Sequence, residues 1–198
     1  MVDPRTATRI GYRALYVGLV ALVLFYRLLP LSALPAPWPL PEFILVLMPQ
    51  WMMPDQWPGA DVLLCLTVVW VLRRPDFIPA VLVAGVFLLD DLLAMRPPGL
   101  WAAIVLLGTE FLRARETATR DLPFLGEWMM AGVVIAAMTL ANRSVQVLFM
   151  IPQVGLGAAI LYMLATIAAY PILAYAMQLV FGLRRAATGE VDALGHRL

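Results

Sequence analysis

The sequence predicts an all-α, polytopic membrane protein, a bundle of about six transmembrane helices with both termini cytoplasmic. Three observations predict it. Of 198 residues, 63% are hydrophobic and only 14% charged, with a mean hydropathy of +0.86, whereas soluble domains carry about 25% charge. Apolar runs approaching the roughly 20 residues that cross a bilayer recur along the chain. Arginine pairs and clusters fall at alternate ends of those runs. The net charge of +1 says nothing about partners, and all 14 basic residues are arginine.

The first span, 12–29, follows Arg5, Arg9 and Arg13. A basic flank before an apolar run also suits a signal peptide, but this run ends in Arg27 and Pro30, without a small-residue cleavage site, and more spans follow. It reads as a retained anchor. Residues 31–58 carry too many prolines for a continuous helix. Phe43–Met48 is too short to cross and lies among Trp38, Trp51 and Trp57, a residue type that favours the headgroup zone. This segment reads as an external loop with a short interfacial or re-entrant piece. The remaining spans are 59–72, 77–93, 100–112, 124–141 and 154–183, the last kinked at Pro171. The whole of 1–198 forms a single transmembrane domain.

The arginines set the direction. Six crossings with both termini inside place Arg5, Arg9, Arg13, Arg73, Arg74, Arg113, Arg115, Arg120, Arg184, Arg185 and Arg197 in the cytoplasm. Only Arg27, Arg96 and Arg143 then face outward, and inversion reverses that imbalance. Small residues at Gly132/Ala136, Ala137/Ala141 and Ala165/Ala169 repeat at four-residue spacing and let helix backbones approach closely.

Ionisable groups near spans are the candidates for function. Asp61 opens the second span after Pro58-Gly59 and suits an N-cap or first-turn carboxylate. Asp90 and Asp91 end the third span. Adjacent helical residues point about 100° apart, so they form no paired dyad, and one faces the bundle while the other faces the outer headgroups. Arg96 is their expected partner across the turn. Glu110 has Arg113 at i+3 for an intrahelical ion pair, and Glu127 reads as interfacial. Cys65 reads as a small apolar packing residue, with no second cysteine for a disulfide. The only histidine, His196, lies in a polar tail, so no histidine-based metal or catalytic site is expected. No nucleophile–base pair, phosphate-cradling loop or metalloprotease motif is present. No catalytic residue and no cofactor are expected.

The stretch 58–116 resembles the rod shape-determining MreD family, small inner-membrane proteins of five or six spans. In that family an acidic or amide residue after proline opens a span that ends in a short cytoplasmic turn. The next span finishes in aspartate, and a glycine about eight residues on opens another. Pro58-Gly-Ala-Asp61, the turn Arg73-Arg-Pro-Asp76, and Asp91 with Gly99 stand in that order, and Leu100-Trp-Ala continues the match. The family's glycine four before the aspartate falls on Phe87 if Asp91 is the counterpart, while Gly85 lies five before Asp90, so both aspartates stand as counterparts. Tyr170-Pro171 resembles the aromatic–proline pair of the family's late span.

The resemblance implies a non-enzymatic scaffold or regulator of the complex that builds lateral cell wall in the bacterial inner membrane. MreC is the implied direct partner, with the polymerase RodA, a class B penicillin-binding protein and MreB in the larger assembly. Membrane lipid is the expected surroundings, and no nucleic acid partner is expected. Asp61, Asp90, Asp91, Arg96, Gly99, Glu110 and Pro171 are the expected docking or structural residues. The family is also similar in fold to substrate-binding subunits of energy-coupling-factor vitamin transporters, so the alternative is a solute-binding membrane subunit with a polar pocket opening outward.

Overall fold

The computed structural model describes residues 4–28, 60–115 and 122–182. The expected loop 31–58, Arg120, Arg184, Arg185, His196 and Arg197 lie outside the described residues. All regular structure among them is helical: α1 (Pro4–Leu28), α2 (Val62–Arg73), α3 (Ala80–Leu93), α4 (Leu100–Ala114), α5 (Phe124–Leu148) and α6 (Leu156–Phe181), with a short 3₁₀ turn at Pro75–Phe77.

Three of these helices are long and apolar enough to cross a membrane: Arg9–Leu28 within α1, α5 and α6. The other three have 12, 14 and 15 residues. At 1.5 Å per residue they reach about 18–22 Å, short of the roughly 30 Å hydrocarbon layer.

The short α2 is the centre of the bundle. Every residue from Leu63 to Arg73 is buried, so α2 is apolar all round rather than on one stripe. It packs on α6 and α4, while α3, α4, α5 and α6 pack in sequential pairs. Helix α1 lies against α2 through Tyr16, Val20 and Leu24, spaced by four, and leaves Leu22, Phe25 and Tyr26 exposed. The Tyr16 hydroxyl and Thr67 Oγ1 share a buried hydrogen bond of 2.9 Å.

Side-chain bonds fix the relative directions of the helices. Arg27, at the end of α1, meets Asp61 at the start of α2 and Asp90 at the end of α3. At the other end Arg13 Nε donates to the Phe77 carbonyl (3.2 Å) and Arg113 to that of Ile78 (2.6 Å). Glu127, opening α5, meets Arg73 there, and Gln178 of α6 lies beside the same guanidinium. Successive helices therefore run antiparallel. Arg13, Arg73 and Arg113 gather at one end of the bundle, and Arg27 and Arg96 at the other.

Helix α5 runs to Leu148, past the predicted end at Ala141. Ser144 Oγ donates to the Leu140 carbonyl (2.8 Å), and nothing breaks the helix before Met150. Met150 stands at φ +53°, where Ile151 N reaches the Gln146 carbonyl and Met150 N that of Val147. This is a Schellman stop with methionine in the position that glycine usually takes.

Helix α6 continues unbroken through Pro171. A proline has no N–H for the carbonyl four residues back, here that of Ile167. The indole Nε1 of Trp128 on α5 donates to that freed oxygen at 2.9 Å. A Cβ on Gly132, one turn along α5, would stand 3.3 Å from Ile167 Cγ2, so the glycine permits the close approach. Pro171 thus works as a docking point between α5 and α6. Trp128→Phe leaves the carbonyl without its donor and is expected to cost about 1–2 kcal/mol in equilibrium unfolding of the purified protein in mixed micelles.

Candidate functional site

The buried charges form two clusters, one at each end of α2. The first is built on Asp61. Its carboxylate caps α2, accepting from Leu64 N at 3.0 Å. It also accepts from Arg27 at 2.7 Å and from the Tyr162 hydroxyl of α6 at 2.6 Å. Its backbone N–H donates to Thr166 Oγ1 at 3.0 Å. The cap expected from the sequence is present, and it is also the point where α1, α2 and α6 meet.

Asp90 joins the same cluster, accepting from Arg27 at 2.6 Å and from Arg96. Asp91 does not face outward. Both aspartates are buried, at 1% and 0% exposure, which corrects the expectation that one of them meets the headgroups. The 100° between their side chains directs them to different internal partners. Asp91 Oδ2 accepts from Gly99 N at 3.1 Å and Ala102 N at 3.2 Å, so it caps α4 from the preceding helix. Gly99, at φ +86°, is the left-handed entry to α4 that offers its N–H to this carboxylate.

A second Schellman turn brings Arg96 into place. Met95 stands at φ +49°, Met95 N bonds to the Leu92 carbonyl and Arg96 N to that of Asp91. The chain thereby doubles back over the end of α3. The Arg96 guanidinium reaches Asp90, lies 3.6 Å from Asp91 Oδ1, and rests 6.0 Å from the centre of the Trp101 ring.

The second cluster surrounds Arg73, only 6% exposed. Its Nε meets Glu127 Oε1 at 3.2 Å and its Nη1 donates to the Ala174 carbonyl at 3.1 Å. The Tyr170 hydroxyl donates to Glu127 at 2.6 Å. Glu127, read from the sequence as interfacial, is buried at 3% exposure because this arginine and tyrosine face it. Tyr170 of the aromatic–proline pair therefore acts through its hydroxyl, while Pro171 acts through the carbonyl it frees.

Glu110 stands apart from both clusters. It pairs with Arg113 at 3.0 Å across one turn, with its side chain 43% exposed. Cys65 is buried and its Sγ donates to the Thr166 carbonyl at 3.1 Å. Sequence reasoning missed Arg27, Arg73, Tyr162, Thr166 and Glu127 as members of the site. For Arg27 the available signal was an arginine directly after 13 residues without a charge. Tyr162 and Glu127 carry no such mark.

The carboxylates of Asp61, Asp90, Asp91 and Glu127 are thus held by arginines, hydroxyls or helix N–H groups of neighbouring elements. This arrangement fixes helices to one another. A cleft of about 430 Å³ opens beside the first cluster, lined by Arg96, Trp101, Asn142, Arg143, Gln153 and Tyr162 among others. An apolar groove lies on the other side of Tyr162, between α1 and the start of α2. No protein-family model, curated protein or solved structure matches the chain.

Proposed function

We propose that the protein is a non-enzymatic scaffold of the MreD kind, which holds the cell-wall elongation complex in the bacterial inner membrane with MreC as its direct partner. In this reading all six helices cross, with both termini cytoplasmic, and RodA, a class B penicillin-binding protein and MreB join the larger assembly. One observation carries it. The residues on which the resemblance rests, Asp61, Asp91 and Gly99, have architectural duties, capping α2 and α4 at 3.0–3.2 Å. Partner helices can dock against the exposed apolar faces of the bundle.

Depletion in a rod-shaped host is expected to round the cells, and a detergent pull-down is expected to recover MreC. Rods that keep their shape on full depletion, with no MreC recovered, sink this reading. The polar cleft beside Arg96 favours one alternative, a solute-binding subunit resembling the vitamin-transporter components. A vitamin-sized ligand retained through purification is the result that would replace the scaffold with it.

A further inference from the structure

We propose that the cleft between the α3–α4 turn and the α5–α6 turn binds a phosphate ester bearing hydroxyl groups, the chemistry of a glycerol phosphate headgroup. The inference stands on the cleft's own side chains and does not rest on a role in wall synthesis.

The charge of the wall selects an anion. Two arginines, Arg96 and Arg143, line the cleft and no carboxylate does. Arg96 is shared between Asp90 and Asp91. Arg143 is different: it donates to the Val154 carbonyl at 3.1 Å and has no carboxylate partner among the described residues. A neutral or cationic ligand leaves that charge uncompensated, and a phosphate answers it with charge-assisted hydrogen bonds.

Further polar atoms await partners. Trp101 is 4% exposed, yet its indole Nε1 has none. Asn142 Oδ1 and Gln153 Oε1 are likewise buried without a donor. Buried polar groups in folded proteins are nearly always paired, and three such unpaired atoms belong to side chains that line this one cleft, where small side-chain rotations bring them to a ligand. Trp101 offers a donor to a phosphate oxygen, and the two amides accept from hydroxyls on the ester. Helix α6 adds its positive end: it starts at Gly155 without a side-chain cap, and Ala158 of its first turn lines the wall. The volume of about 430 Å³ suits a headgroup of this size.

The same chemistry occurs on anionic phospholipids and on soluble glycerol phosphate. The rim favours the lipid. Val154 lines the cleft, and it and Val147, Leu148, Phe149 and Met150 of the same α5–α6 turn are all more than 60% exposed, so apolar surface adjoins the cleft.

Native mass spectrometry of the full chain, titrated separately with phosphatidylglycerol, phosphatidylcholine and glycerol 3-phosphate, tests the proposal. Phosphatidylglycerol is expected to bind at least about ten-fold tighter than phosphatidylcholine, whose choline offers no hydroxyl. Arg143→Gln is expected to weaken it by about ten-fold and Trp101→Phe by several-fold, the latter keeping the ring and losing only the N–H. Exposed Arg9→Gln, at the other end of the bundle, is expected to leave binding unchanged. Binding by glycerol 3-phosphate alone supports the site and assigns a soluble source; binding by the lipid alone assigns the membrane. Equal retention of both phospholipids with no binding of glycerol 3-phosphate, or equal losses in the Arg9 and Arg143 variants, overturns the site.

Discussion

Replacing Glu127 with alanine is expected to lower the stability of the bundle by about 3–5 kcal/mol, the largest effect of any single substitution considered. The magnitude follows from burial. Arg73 and Glu127 side chains are both 4% exposed and lie 3.2 Å apart. Removing the carboxylate takes the charged partner from an interior guanidinium whose other contacts include the Ala174 carbonyl (3.1 Å) and Gln178 Oε1 (3.5 Å), and it removes the acceptor of the Tyr170 hydroxyl bond at 2.6 Å. The paired substitution Arg73→Met with Glu127→Leu removes both charges. It is expected to recover most of the loss, because the cost lies in an uncompensated charge rather than in the missing pair. Equilibrium unfolding in mixed micelles reads all three proteins. A Glu127→Ala loss below about 1 kcal/mol would mean that water reaches Arg73, contrary to its burial.

The same pair shows what a sequence conveys and what it withholds. Helix positions were legible because apolar runs, prolines and glycines act locally: α2, α3 and α4 begin and end within a few residues of the expected 59–72, 77–93 and 100–112. The Glu110–Arg113 pair and the Asp61 cap were legible for the same reason, since each closes within one turn. The Arg73–Glu127 pair joins residues 54 apart and Tyr162–Asp61 residues 101 apart. No local pattern encodes such distances, so Glu127 looked like one more charge at a helix start. Asp91 lies between these cases. Its spacing to Gly99 was visible, but the reason for the spacing emerged only when the turn at Met95 brought the carboxylate over the first N–H groups of α4.

Asp61→Ala is expected to cost about 2–4 kcal/mol, second to Glu127→Ala. The lost cap contributes about 1 kcal/mol, and the Tyr162 hydroxyl, left without its acceptor at 2.6 Å, contributes about 1–3 kcal/mol. Arg27 adds less, because its side chain is 34% exposed and it keeps Asp90 at 2.6 Å. Asp61→Asn separates these contributions. Its amide oxygen can still cap Leu64 N, so it is expected to recover the cap while losing the charge-assisted bonds. The loss should also be localised. Among the described residues, Arg27 ties the end of α1 to Asp61 and Asp90 and no other carboxylate, whereas the rest of α1 is held by Tyr16, Val20 and Leu24. Hydrogen exchange is therefore expected to accelerate at the C-terminal turns of α1 and the first turn of α2, and to stay slow near Tyr16. Uniform acceleration along α1 would show that the whole helix depends on Asp61, and that the apolar stripe does not hold it independently.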